Sequence, residues 1–253
     1  MDGDLGQGRR RRNHFRYTAR TMVHPFRNCV LLALLLPCAA QASNLLDRLL
    51  EQAPDVPPQA LTLALEARDC AAELGAAPRS TRLAVLDYSL PSTERRLWLF
   101  DLQSQRLLLA EYVAHGRGSG GNLAHAFSNV EGSHQSSLGL FLTEGTYNGG
   151  NGYSLLLDGL EPGTNDRARE RRIVMHGADY VNPLQALRQG RLGRSFGCPA
   201  LRPQVARTVI DELKGGQLLF AYYPDPAWLA RSPYLSCSRR VVQAGVERPP
   251  AGS

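Results

Sequence analysis

A chain of 253 residues with 43% hydrophobic and 21% charged content can bury one sizeable core, which excludes a chain disordered throughout and a collagen-like fibre. The net charge of +6 raises the question of a nucleic-acid or membrane-surface partner, but residues 1–42 alone carry a net +5 and residues 43–253 only +1. The body is nearly neutral, and Gly116-Arg117-Gly118-Ser119-Gly120 lacks the spacing of a P-loop or dinucleotide fingerprint, so a nucleic-acid role is disfavoured.

The first predicted element is an export signal over residues 1–42. Basic residues precede an apolar run from Cys29 to Ala40, and Ala40-Gln41-Ala42 fits a small-x-small cleavage site after Ala42. Counting from Met22 gives a signal of ordinary proportions, so Met22 is a candidate true start. Twelve apolar residues span about 18 Å as a helix against a bilayer core of about 30 Å, so no transmembrane segment is expected once the signal is removed. Cys38 raises a lipoprotein alternative, against which Pro37 stands where a small residue is expected. Cys70, Cys198 and Cys237 remain beyond the signal, an odd number for an exported chain. A Cys70–Cys237 bridge would pin the first helices to the tail, with Cys198 left over as either a reactive thiol or a buried inert one.

Residues 43–78 read as a helical appendage. Leu45, Leu46, Leu49 and Leu50 recur at helical spacing, Pro57-Pro58 interrupts, and Leu61 to Ala67 resume the pattern up to Gly75. Residues 79–225 read as a mainly β body, with strands predicted at Leu83–Tyr88, Arg96–Leu102, Arg106–Ala114, Leu138–Thr143, Tyr153–Leu157, Arg172–Met175 and Gln217–Tyr223. The Gly/Ser/Asn/His-rich stretch from Gly116 to Ser137 is too long for a simple connector and is expected to rim a site. A helix is predicted over Pro203–Leu213, opened by Pro and stopped by Gly215-Gly216. Residues 226–253 form a tail that docks through Trp228, Tyr234 and Cys237 and then frays.

The chemistry concentrates in Ile173-Val174-Met175-His176-Gly177 and, nineteen residues beyond His176, in Ser195-Phe196-Gly197-Cys198-Pro199. A strand ending in His-Gly aims an imidazole out of a sheet edge, and a Gly before Cys198 lets backbone approach a bound carbonyl. Those are parts of a cysteine acyl-transfer site with Cys198 as nucleophile and His176 as base. The Gly177 carbonyl is a candidate acceptor that fixes the imidazole tautomer. A thiol of ordinary pKa, about 8.5, is only a few per cent ionised at neutral pH, and an adjacent imidazolium would lower it. Backbone N–H groups around Gly197 and Cys198 would supply an oxyanion hole worth roughly 3–4 kcal/mol.

The order His then Cys, the β-rich setting and Gly193-Arg194-Ser195-Phe196-Gly197-Cys198-Pro199 resemble the YkuD-like L,D-transpeptidases, in the branch called the murein L,D-transpeptidase catalytic domain family. Leu86-Asp87-Tyr88-Ser89, Val113-Ala114-His115-Gly116, Phe127-Ser128-Asn129, Ser136-Ser137-Leu138-Gly139 and Gly159-Leu160-Glu161 extend the resemblance over about Leu83 to Tyr223. It implies an L,D-transpeptidase-like β-sandwich and a periplasmic or secreted enzyme that needs no cofactor and acts on peptidoglycan stem peptides. Cys198 would form a thioester with release of D-alanine, and an amine would resolve it to a 3→3 crosslink or an exchanged D-amino acid. Many family members carry a second His where this chain has Phe196, and an Asn or Arg where it has Ala200.

His115, leading the Gly/Ser-rich loop, is a candidate to fill that gap; otherwise it is a strand-end His. Arg194 is a candidate partner for a substrate carboxylate or else a structural Arg. Ser195 and Gly197 are expected to shape the pocket. Tyr147 and Asn148-Gly149-Gly150 read as a turn with an aromatic rim. The spacings of His115, His125 and His134 match no zinc signature, and no metal is expected. Two other readings stay open: a carboxypeptidase or amidase in which water resolves the thioester, and an inactive peptidoglycan-binding module whose Cys198 is spent on a disulfide.

Overall fold

The computed structural model describes residues 38–77 and 79–237, all within one compact unit, Pro37–Ser253. The export signal and the frayed end of the tail fall almost wholly outside the described residues, with 38–42 forming the start of the first helix. Helix α1 (Cys38–Gln52) and helix α2 (Pro58–Glu73) flank the predicted break, and Pro58 opens α2, where its missing N–H costs no hydrogen bond. Ala60, Leu61, Ala64, Leu65, Ala71 and Cys70 form the buried stripe of α2. These helices share one continuous hydrophobic core with the strands, α2 packing on β1 (Arg82–Asp87) and β9 (Leu218–Tyr222) and α1 on β3 (Arg106–Glu111).

The chain is mostly β, with few short helices. The remaining strands are β2 (Leu97–Asp101), β4 (Val113–Ala114), β5 (Gly139–Gly149), β6 (Gly152–Gly159), β7 (Val174–Gly177) and β8 (Ala200–Leu201). All nine join one sheet in the order β3-β2-β1-β9-β5-β6-β7-β8-β4. Strands β3 and β4 occupy opposite ends of that order, yet only Tyr112 separates them in the chain. The sheet must therefore roll round until its two ends meet, which wraps its apolar faces about a common interior. β9 lies between β1 (parallel) and β5 (antiparallel) with all five residues buried, as a strand covered on both faces requires.

The structure differs from the sequence-based expectation at five places. The strand predicted over Arg106–Ala114 is broken at Tyr112, where the Glu111 carboxylate accepts from the Tyr112 amide at 2.6 Å and from Arg202 Nε at 2.9 Å, turning the chain from one sheet end to the other. Tyr147 and Asn148-Gly149 lie within β5, paired with Ser154, Tyr153 and Gly152, so the turn is Gly150-Asn151. Two further helices, α3 (Pro183–Gln189) and α5 (Pro226–Arg231), and the short β8 were not anticipated. Helix α4 (Pro203–Leu213) has the predicted bounds, buries Ala206, Val209, Ile210 and Leu213, and packs mainly on β7.

Candidate active site

Strand β7 carries His176 and is held on both sides, with Ser154 of β6 and Ala200 of β8 as register partners of His176. Cys198 lies two residues before Ala200, so strand pairing itself brings the thiol segment alongside the imidazole strand. His176 Nδ1 is 2.9 Å from the Gly177 carbonyl. A carbonyl only accepts, so the proton sits on Nδ1 and Nε2 keeps its lone pair.

The turn ahead of Cys198 is fixed by Ser195. Its hydroxyl donates to the Cys198 carbonyl at 2.6 Å and accepts from the Gly197 amide at 3.1 Å, while its own amide donates to the His115 carbonyl at 3.0 Å. The Gly197 amide, expected to serve an oxyanion hole, is thus engaged within the turn. Gly197 takes φ of 126°, and a Cβ there would meet Gln135 O and Ile173 Cδ1, both at 2.9 Å, so no other residue fits without displacement. The predicted rim stretch braces this turn from outside the groove: Arg117 N–H donates to Ser195 O at 2.8 Å, and Ser136 Oγ donates to Gly197 O at 3.1 Å.

Cys198 is a free thiol and Cys70 is bridged to Cys237. The Sγ accepts from the Val174 amide at 3.5 Å and donates to the Arg172 carbonyl at 3.7 Å. Burial pushes the thiol above its ordinary pKa, opposed by the Val174 N–H and the Arg171 charge. Burial also pushes His176 below the ordinary imidazole value. Both shifts disfavour the charged form, so burial works against a resting thiolate and a resting imidazolium alike.

Both side chains line one groove of about 860 Å³, together with Tyr153, Arg171, Arg172, Gly177, Tyr180, Arg194, Ser195, Phe196 and Arg207. Arg194 is partly committed, its Nη1 donating to Gly120 O at 2.8 Å. His115 does not line the groove. It is fully buried, accepts from Arg96 Nη2 at 2.7 Å, and is held down to a pKa of about 3 by burial and by the Arg96 charge. Phe196, at the position of the second family His, is 64% exposed, with the His134 ring 4.8 Å and the Arg117 guanidinium 4.5 Å from its centre. Among the described residues no group of three or more His, Cys, Asp or Glu is placed to hold a metal ion.

A family model for the L,D-transpeptidase catalytic domain matches residues 52–222, two thirds of the chain. The chain belongs to the L,D-transpeptidase catalytic domain family. Solved structures similar to it include an L,D-transpeptidase from Mycobacterium smegmatis (13% identity, 57% of this chain and 59% of that chain, TM-score 0.35). Others are the helical cell shape determining protein of Campylobacter jejuni (14%, 63% and 55%, TM-score 0.38) and an L,D-transpeptidase from Stackebrandtia nassauensis (14%, 65% and 68%, TM-score 0.35). A comparison with curated protein sequences finds no match.

In this L,D-transpeptidase domain the sequence reading missed Arg171, Arg172, Tyr180, Tyr153 and Arg207. Arg171 donates to the carbonyls of Ser128 (2.6 Å) and Gln135 (2.8 Å) and to the Ser137 hydroxyl (2.6 Å), tying the rim stretch to the thiol's surroundings. Arg172 holds φ of 55° just where its carbonyl receives the Cys198 thiol. Arg171 and Arg172 lie just before the strand that carries His176, while Tyr153 on β6 and Arg207 on α4 reach the groove through the packing of those elements on β7.

Proposed function

We propose that this L,D-transpeptidase domain is a cell-wall cysteine acyltransferase acting on peptidoglycan stem peptides, with Cys198 as nucleophile and His176 as its base. The observation that carries the reading is a free thiol and a tautomerically fixed imidazole lining one groove. His176 Nε2 takes the thiol proton as Sγ attacks the carbonyl of the penultimate diaminopimelate residue, with the Cys198 amide donating to the oxyanion. Collapse of the tetrahedral intermediate passes that proton to the leaving D-alanine amine and leaves a thioester. An acceptor amine then attacks the thioester, loses its proton to His176, and departs as a 3→3 crosslink or an exchanged D-amino acid, regenerating the thiol. The groove, the nucleophile and the base all come from this chain, and the chemistry calls for no cofactor.

An extracytoplasmic location fits the same reading. The Cys70–Cys237 disulfide belongs to an oxidising compartment, and the basic, apolar leader supplies the route. No helix among the described residues is long and apolar enough to cross a membrane.

Incubation of the full chain with tetrapeptide muropeptides tests the proposal. Expected products are 3→3 dimers, with a thioester adduct on Cys198 visible by intact mass after trapping. Cys198→Ala is expected to abolish turnover and His176→Ala to lower it about 10²–10⁴-fold with folding intact. Tripeptides alone would instead mean that water is the acceptor. Full activity in the His176 variant would remove its assigned role, and no turnover by the parent chain would leave a binding module.

A further inference from the structure

Four arginines line the groove, Arg171, Arg172, Arg194 and Arg207, against one acidic residue, Asp179. None of the four forms a salt bridge with a carboxylate among the described residues. Arg171 and Arg194 spend donors on backbone carbonyls, as described above. Arg207 differs, because among the described residues no side-chain hydrogen bond occupies it, Asp211 acts on it only through its charge, and it lies 4.4 Å over the ring of Tyr153. That ring is itself anchored, its hydroxyl donating to Asp211 Oδ1 at 2.7 Å. Lys214 Nζ meets the same Asp211 oxygen at 2.7 Å, so the carboxylate closest in sequence to Arg207 on α4 is already served. A cation held over a ring face keeps its place while its N–H groups remain for another acceptor, which suits recognition of a carboxylate. Arg172 has no such support for its side chain.

We infer that Arg207, oriented by Tyr153, is the residue of the groove that binds a free carboxylate of the acyl donor and selects for it. The inference rests on the proposed function and adds the specificity determinant to it. A stem tetrapeptide offers that chemistry from two sources, the terminal D-alanine carboxylate and a side-chain carboxylate of an upstream residue. The two are separated by peptides amidated at one position or the other.

Binding is measured by calorimetry on the full chain carrying Cys198→Ala, so that no turnover is needed. The free-acid tetrapeptide is expected to bind about tenfold more tightly than one of its two amidated forms. Adding Arg207→Gln should erase that preference, Arg207→Lys should keep part of it, and Tyr153→Leu should weaken it while Tyr153→Phe retains the stacking face. Equal affinity for the free acid and both amides, or a preference that survives Arg207→Gln in a folded protein, would overturn the inference while leaving transpeptidation by the parent chain untouched. Absence of all peptide binding together with absence of turnover would overturn the functional reading itself.

Discussion

Cys198 and His176 are driven away from ionisation by the same cause, burial, in opposite directions on the pH scale. The thiol is raised and the imidazole lowered, so burial disfavours the charged form of each, and under the proposed function the proton moves as Sγ attacks. Under the proposed function, catalysis then depends on where the carbonyl is held more than on a standing thiolate. The sign for reactivity follows: below a raised pKa the thiolate fraction grows about tenfold per pH unit, so the thiol should gain reactivity up to and beyond the ordinary value of about 8.5. Alkylation of the full chain by iodoacetamide, mapped to Cys198 by peptide mass, is expected to be slow at pH 7 and to rise steadily into the alkaline range. A rate already flat between pH 6 and pH 8 would mean a preformed thiolate–imidazolium pair and would reject the neutral resting state. His176→Ala should leave this alkylation profile in place while slowing turnover, because the imidazole acts during attack and does not set the resting charge.

Elements around the site are joined by one buried carboxylate. Glu161, just past β6, accepts from the Leu140 amide of β5 at 2.8 Å and from the Trp228 indole of α5 at 2.8 Å, and burial raises its pKa. Trp228 also packs against Phe220 and Tyr222 of β9, with ring centres 5.8 and 6.5 Å apart. In Glu161→Gln one acceptor oxygen becomes an NH₂ facing an N–H donor, so a loss of about 1–3 kcal/mol in urea unfolding is expected, whereas Trp228→Leu adds lost packing and should cost more. Equal midpoints for the parent and Glu161→Gln would remove the carboxylate from this role. The same elements explain what the sequence could disclose. α4 was legible because Ala206, Val209, Ile210 and Leu213 form a stripe behind an opening Pro. α3 lacks a stripe: Leu184 and Leu187 are 74% and 81% exposed and only Ala186 is buried, although Asn182, Pro183 and Gly190 mark its two ends. Cys198, His176 and Gly177 were legible because their motifs are contiguous. Tyr153 and Arg207 were not, because they reach the groove through strand pairing and helix packing on β7, and Arg171 carried no motif of its own.

A disulfide among the described residues ties the N-terminal helices to the end of the described chain. Cys70 on α2 and Cys237 beyond α5 are bridged across 167 residues of sequence, with Cα atoms 5.7 Å apart. Nearly the entire β body lies inside that loop, so the bridge restricts the unfolded chain over most of its length, and such a link is worth about 2–5 kcal/mol. α2 already packs on β1 and β9, and Cys70 is buried in the common core, so the bridge reinforces a contact that exists without it. None of the groove-lining residues comes from α1, α2 or α5. The double variant Cys70→Ala with Cys237→Ala is therefore expected to unfold at markedly lower denaturant concentration, by about 2–5 kcal/mol, while each molecule that remains folded turns over muropeptides at the parent rate. An unchanged midpoint would mean that helix packing alone fixes the two ends. A folded double variant with lost activity would mean that the bridge acts on β7 through the sheet, where β9 packs on α2 and pairs with β5.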